Sequence, residues 1–176
     1  MKRIAATTLL VILLLTPSSG FSQTRKRSTT ARPKTSAAQA QAQGAQVRTQ
    51  GATRVADQIK LMSKFIYLLG GVTSGIAAVD EAARRNEASP AIVAKNQESK
   101  AEVKTSIAKF REGLDRLEID FRNTPELQPY YIKLAGVAAG AATAEEQANA
   151  NQFDASGRTL LNVINRLTDV LVIMRQ

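Results

Sequence analysis

The stretch VKTSIAKFREGLDRLEIDF, residues 103–121, places large apolar side chains at alternating intervals of four and three residues. Those side chains are Val103, Ile107, Phe110, Leu114, Leu117 and Phe121. In an α-helix this spacing aligns one apolar stripe over about three heptads, and such a stripe faces a partner helix. The sequence therefore predicts an all-α fold in which this helix is one member of a bundle.

Further segments with helical periodicity lie on either side of this stretch. The predicted helices cover residues 53–86, 91–123, 130–149 and 153–174. The chain has no convincing run of alternating apolar and polar residues, which argues against strands. Ser89-Pro90 and Thr124-Pro125 mark helix boundaries, because serine caps a helix and proline fits only its first turn.

The connection between the last two segments is open on the sequence. The last segment has its own stripe, formed by Phe153, Gly157, Leu160, Ile164, Leu167, Leu171 and Met174. That stripe is out of phase with the apolar positions of the third segment, which favours a turn, and a single helix of about 45 residues is the alternative. We predict an antiparallel four-helix bundle, with three long helices in a coiled-coil-like array as the alternative.

The first predicted helix has an apolar stripe and an uncharged middle. The stripe consists of Val55, Ile59, Met62, Ile66, Leu69, Val72, Ile76 and Val79. The middle, FIYLLGGVTSGIAAV at residues 65–79, carries no charged side chain. A helix that is apolar on every side is usually buried, so we expect this one to be the most enclosed.

Residues 1–22 have the layout of a secretory signal peptide. Lys2 and Arg3 precede the apolar run IAATTLLVILLL at residues 4–15, and small residues follow, with Gly20 and Ser22 as candidate cleavage points. The run spans about 18 Å as a helix, well short of a bilayer core of about 30 Å. We therefore expect export, removal of this segment and a periplasmic or extracellular mature protein.

The net charge of +9 is concentrated in one part of the chain. Residues 23–54 contain seven Lys or Arg and no acid, whereas residues 55–176 contain fifteen of each sign. Residues 23–52 are rich in Ala and Gln and poor in large apolar side chains, so we predict that they form a disordered linker. The predicted organisation is a signal peptide (1–22), this linker (23–52) and a helical bundle (53–176).

The N-terminal part of the linker is basic, and its charge suggests a surface that it contacts. Its cations are Arg25, Lys26, Arg27, Arg32 and Lys34. A polybasic segment gains about 1 kcal/mol per cation near an anionic membrane, so these residues are candidates for a tether to an anionic envelope surface, and a soluble spacer is the alternative. Because the predicted bundle has no excess of positive charge, we expect no nucleic-acid partner.

Two glycine pairs share a spacing of four residues, Gly71 with Gly75 and Gly136 with Gly140. Small residues at this spacing let helix backbones approach closely, so we predict a contact between the first and third helices through these pairs. A groove for a small apolar ligand or lipid between the two pairs, and an apolar hairpin that enters a bilayer, are the alternatives.

The composition excludes several chemistries. The chain has no His and no Cys, hence no imidazole base, no thiolate nucleophile and no nitrogen or sulfur metal ligand of the usual kinds. We expect no cofactor and no enzyme activity. The predicted function is an exported protein that acts by contact, in an interaction, scaffold or envelope-associated role with an unknown protein partner or an anionic surface. A heptad stripe also suits self-association as a homo-oligomer. A carrier of small apolar ligands or lipids and a membrane-active protein are the alternative functions.

Overall fold

The computed structural model describes residues 35–176, and within this range the chain is all-helical and contains no strand. The helices are α1 (Thr35–Arg84), α2 (Pro90–Asn123), α3 (Gln128–Leu134), α4 (Val137–Asn149) and α5 (Phe153–Met174). The prediction of an all-α fold is confirmed for this part of the chain. The predicted signal peptide and residues 23–34 of the predicted linker lie outside the described residues.

Four of the helices surround one core, and α3 is a short helix in the connection between α2 and α4. Helix α1 packs on α2 and α5, and α4 packs on the same two helices. Helices α2 and α4 are antiparallel, because Lys104 Nζ donates to the carbonyl of Asn149 while Glu118 accepts from the backbone N–H of Ala138. A turn in which Asn151 has a φ of 60° separates α4 from α5. The last two segments are therefore separate helices, and not one long helix.

The apolar stripe of residues 103–121, from which the fold was predicted, forms the α2 side of the core. Ile107, Leu114 and Phe121 have no exposed surface, and Phe110 is partly buried with its ring 5.1 Å from that of Phe65. Helix α5 supplies the opposite side through the stripe that begins at Phe153. Both periodicities are thus confirmed, since heptad spacing along a helix keeps one stripe facing its neighbours.

The third predicted helix is interrupted near its start. Gly136 has a φ of 88° and lies between α3 and α4, a left-handed conformation that glycine adopts without a steric penalty. Glu118 Oε1 accepts the N–H of Ala138 at 2.8 Å, so a side chain of α2 caps α4 where Gly136 has none to offer. Arg166 of α5 donates to the carbonyls of Ala135 and Gly136. The single helix predicted over residues 130–149 is therefore two helices, α3 and α4.

Helix α1 begins at Thr35, well before the predicted boundary between residues 52 and 53. Residues 35–52 belong to the linker that the composition predicts to be disordered, whereas the structure has them in the helix. Ala and Gln are good helix formers. Val47 also packs on the core, and Gly51 is buried so closely that a Cβ there would lie 2.7 Å from Leu127 Cδ2. These tertiary contacts were invisible in the composition on which the prediction depended.

The uncharged middle of α1 is not enclosed, and that prediction is wrong. One side of it is buried through Leu69 and Ile76, but the side chains of Leu68 and Tyr67 are 54% and 86% exposed. Helix residues 37–84 are long and apolar enough to cross a membrane by length and composition, and 17% of the most apolar window is buried. Apolar character on every side of the helix therefore did not translate into burial on every side.

Candidate interaction surfaces

Helices α1 and α2 extend beyond the section that α4 and α5 cover. The four-helix section ends near Leu69, which contacts Gly157 of α5, and near Lys104, which contacts the C-terminus of α4. Beyond these points residues 70–103 form a two-helix hairpin, which we call the arm. The arm is the part of the described chain with the fewest covering elements, so its exposed faces are candidates for contact with another molecule.

One face of the arm carries an apolar groove between α1 and α2, which we call the arm groove. It consists of two adjoining depressions of about 220 and 350 Å³, and Val72 and Ser99 line both. The other lining residues are Phe65, Leu68, Leu69, Gly75, Ile76, Val79, Ile92, Lys95, Asn96, Glu102, Val103 and Ser106. The groove is open to solvent. Its α1 wall is formed by apolar residues and glycine, whereas its α2 wall combines apolar, polar and charged side chains.

A polar cluster joins the two helices of the arm. Lys100 Nζ and Asn96 Nδ2 each donate to Asp80 Oδ1 at 2.7 Å, and Asn96 also donates to the carbonyl of Ile76 at 3.4 Å. Asn96 and Lys100 are both buried. Buried polar groups are stable when they are hydrogen-bonded, and a polar pair at one position between two helices fixes their register.

The edge of the arm groove carries an ion pair on the solvent side. Lys95 Nζ lies 2.7 Å from Glu98 Oε2, one turn further along α2. The hydrogen bond to Glu98, together with the attraction of that carboxylate, raises the pKa of Lys95 above its ordinary value of 10.5. Lys95 is therefore charged at any physiological pH.

The end of the described bundle opposite the arm, near the C-terminus of α5, combines cations with apolar surface. Arg48 of α1 and Arg175, which follows α5, line a shallow cavity of about 490 Å³. Its floor includes Leu171 and Met174. We call this region the basic end. An apolar floor beside two guanidinium groups suits a molecule with an anionic group and an apolar part.

The predicted glycine contact is not formed between the first and third predicted helices. Gly71 and Gly75 are exposed, and nothing lies within 4 Å of a Cβ built at either position. Gly140 contacts α5, where a Cβ would lie 2.8 Å from Val163 Cγ2, and Gly136 forms the break before α4. Equal spacing in the sequence therefore has three different structural roles, and the proposed ligand groove between the two pairs is absent from the described part of the chain.

The tether residues Arg25, Lys26, Arg27, Arg32 and Lys34 lie outside the described residues. The polar cluster of the arm was not predicted from the sequence, although a signal was available. Asn96 and Lys100 precede Val103 at intervals of four and three, so they continue the α2 seam with polar side chains. Polar residues at seam positions usually have a buried partner on the facing helix.

Residues 35–176 contain no group of three or more Asp or Glu side chains that could hold a metal ion. Comparison of the chain with protein-family models, with curated proteins and with solved structures found no match.

Proposed function

We propose that the mature protein is an exported, non-enzymatic helical bundle that acts by contact and is held at an anionic envelope surface by its basic N-terminal segment. The observation that carries this proposal is the separation of charge along the chain. Residues 23–54 have seven cations and no acid, and residues 55–176 are balanced. Such a segment is attracted to anionic lipid or polymer, whereas the balanced bundle remains free for other contacts.

The shape of α1 supports this arrangement. The helix runs from Thr35 to Arg84, about 74 Å, so Thr35, which follows the five cations between residues 25 and 34, is far from the tip of the arm. Arg175 at the basic end adds one further cation beside Arg48, about 20 Å along the helix from Thr35. A protein tethered at this end would present the arm away from the surface.

The experiment is a vesicle-binding measurement on the mature chain from residue 23. In the tail variant Arg25, Lys26, Arg27, Arg32 and Lys34 are replaced by Gln. In the matched control five exposed cations of the bundle are replaced by Gln, namely Lys109, Arg116, Arg122, Lys133 and Arg158. At about 1 kcal/mol per cation, the tail variant should lose at least about tenfold in partitioning onto phosphatidylglycerol-rich vesicles.

The control should bind like the unmodified chain. Rising salt should weaken vesicle binding by the control and by the unmodified chain, since surface charges are screened over about 8 Å at physiological ionic strength. Equal binding by the tail variant and the unmodified chain would contradict the tether. Binding that the control loses instead would assign the contact to the bundle.

A membrane-active protein is the second candidate function, and the exposed apolar surface of α1 favours it. The uncharged segment of residues 65–79 is about 22 Å long as a helix, shorter than a bilayer core of about 30 Å. Release of a trapped dye from anionic vesicles tests this candidate. Intact vesicles at micromolar protein concentration would rule it out.

A further inference from the structure

Helix α1 contains one stretch whose residues favour a helix poorly, residues 70–75, which we call the glycine segment. Its sequence GGVTSG has three glycines, two β-branched residues and a serine. Glycine is the least favourable residue in a helix interior after proline, and valine, threonine and serine rank below alanine, leucine and lysine. The segment is helical in the structure, so α1 is intrinsically least stable in the middle of its arm half.

The packing in the structure requires none of the three glycines. Gly70, Gly71 and Gly75 are exposed, and nothing lies within 4 Å of a Cβ built at any of them. Among the described residues only Gly136 is a glycine with a positive φ. At Gly140, by contrast, a Cβ would lie 2.8 Å from a side chain of α5. What the glycines of the segment change is therefore the stability of the helix itself.

Two hydroxyl groups of the glycine segment bond back to the preceding turn. Thr73 Oγ1 and Ser74 Oγ both donate to the carbonyl of Gly70, at 3.1 and 2.9 Å. Hydroxyls that bond back in this way weaken a helix slightly and often bend it. Helix α2 has the same feature beside the segment, where Ser99 Oγ donates to the carbonyl of Lys95 at 3.1 Å.

The glycine segment begins where the four-helix section ends. Leu69, which precedes it, contacts Gly157 of α5, and beyond this point the arm consists of α1 and α2. Val72 lines both depressions of the arm groove, so the packing of α1 on α2 is incomplete beside the segment. A backbone with few buried contacts loses little when it moves.

The arm is held together beyond the glycine segment by the polar cluster. Lys100 Nζ and Asn96 Nδ2 both donate to Asp80 Oδ1, and Asn96 also donates to the carbonyl of Ile76, the residue directly after the segment. Hydrogen bonds between α1 and α2 at this position fix the two helices to each other. The weak segment thus lies between two parts that are each tied together, the four-helix section and the end of the arm.

We propose that the glycine segment is a hinge about which the arm tilts as a unit relative to the four-helix section. Helix α1 bends through the segment, whereas α2, which has Lys, Ala and Glu at residues 100–102, curves without breaking. A bend of about 20° moves Arg84, about 20 Å further along α1, by about 7 Å. The hinge goes beyond the contact role proposed above and does not depend on the tether, because it sets which positions the tip of the arm reaches.

The experiment measures distances between spin labels in the mature chain by pulsed electron paramagnetic resonance. The chain has no cysteine, so introduced cysteines are labelled specifically. Ala91→Cys with Asn162→Cys joins the arm to α5, and Lys109→Cys with Asn162→Cys joins two helices of the four-helix section, all at exposed positions. We expect the first distance distribution to be at least about twice as wide as the second, because a bend of about 20° displaces the arm label by several ångström.

Replacing the three glycines of the segment by Ala tests the cause of this width. The open space admits the new methyl groups and alanine stabilises the helix, so the distribution between arm and α5 should narrow by about half. The matched control carries Ser63→Ala, Lys64→Ala and Tyr67→Ala, which are exposed positions of α1 before the segment, and both of its widths should stay unchanged. Circular dichroism melting shows that both variants fold.

Hydrogen exchange provides a second measurement on the unmodified chain. The amides of residues 72–77 should be protected less than those of residues 62–69 and 79–83, because a hinge opens the helix from within. Fraying from the tip would instead give protection that falls steadily towards Arg84, and this result would overturn the proposal.

Equal widths for the two label pairs would also overturn the hinge, and so would a width that the three alanines leave unchanged. A dipolar signal from the chain labelled at residue 91 alone would show that a second copy reaches the arm. Close approach, and not bending, would then account for the open glycines, and the proposal would be wrong. The tail variant with five Gln residues should give the same distributions as the unmodified tail, so failure of the tether and failure of the hinge are distinguishable.

Discussion

Lys100 Nζ lies 2.7 Å from Asp80 Oδ1, and this contact joins the two helices of the arm at a point where 11% of the lysine side chain is exposed. The arm has no third helix to hold it together within the described residues. A buried charged hydrogen bond between α1 and α2 therefore contributes both stability and register there.

Replacing Asp80 should destabilise the arm. Asp80→Ala leaves the buried ammonium of Lys100 without its carboxylate, and we expect a loss of about 1–2 kcal/mol in the free energy of unfolding, moderated because Asp80 is itself partly exposed. Urea unfolding followed by circular dichroism measures this. Glu98→Ala, which removes the exposed partner of Lys95, should leave the free energy of unfolding nearly unchanged, because exposed ion pairs contribute little to stability. Equal losses in the free energy of unfolding for the two variants would show that the Asp80–Lys100 contact stabilises the protein no more than the exposed Lys95–Glu98 pair does.

The glycines at 71 and 140 should respond in opposite directions to a larger side chain. In Gly140→Leu the new side chain collides with Val163, and overpacking of this kind costs about 1–3 kcal/mol. Gly71→Leu meets open space and gains helix propensity, so stability should rise by up to about 0.8 kcal/mol. Thermal unfolding at low protein concentration compares the two. A destabilised Gly71→Leu monomer would mean that α1 has a contact at that position after all.

The start of α1 predicts where trypsin cuts. Backbone in a helix that packs on the core resists cleavage, so we expect rapid cleavage up to Lys34 and slow cleavage after Arg48 and Arg54. Mass spectrometry of the resistant fragment should give a mass that starts at Thr35. The linker prediction from the sequence places that start near Ala52 instead, and a fragment beginning at Thr49 would favour it.

Lys95 should titrate above its ordinary range. Its pKa is raised in the folded protein by the hydrogen bond and attraction of Glu98, so its contribution to stability is fully present below the ordinary pKa of 10.5 and is lost as the pH rises through the folded value. An NMR titration of the Lys95 side chain measures this pKa. Glu98→Gln should lower it, and an unchanged value would exclude Glu98 as the cause.

Much of the fold could be predicted because each of its seams is a local pattern. The spacing in α2 and α5 identified buried positions such as Ile107 and Leu160 before any partner was known. The break at Gly136 was not predicted, since a glycine in an alanine-rich stretch is compatible with a continuous helix. Its left-handed backbone is stabilised by Arg166 and Glu118, which are distant in sequence.

The candidate surfaces were predicted less well than the fold. The sequence by itself determined that the chain is helical, that positive charge is concentrated before residue 55, and that two histidine- and cysteine-dependent chemistries, imidazole base catalysis and thiolate catalysis, are absent. It placed Leu69 in the apolar stripe of α1, but it also predicted that the whole uncharged middle of that helix is enclosed. Only the tertiary structure decided that Leu68 faces solvent, since burial depends on which neighbouring helices reach that side.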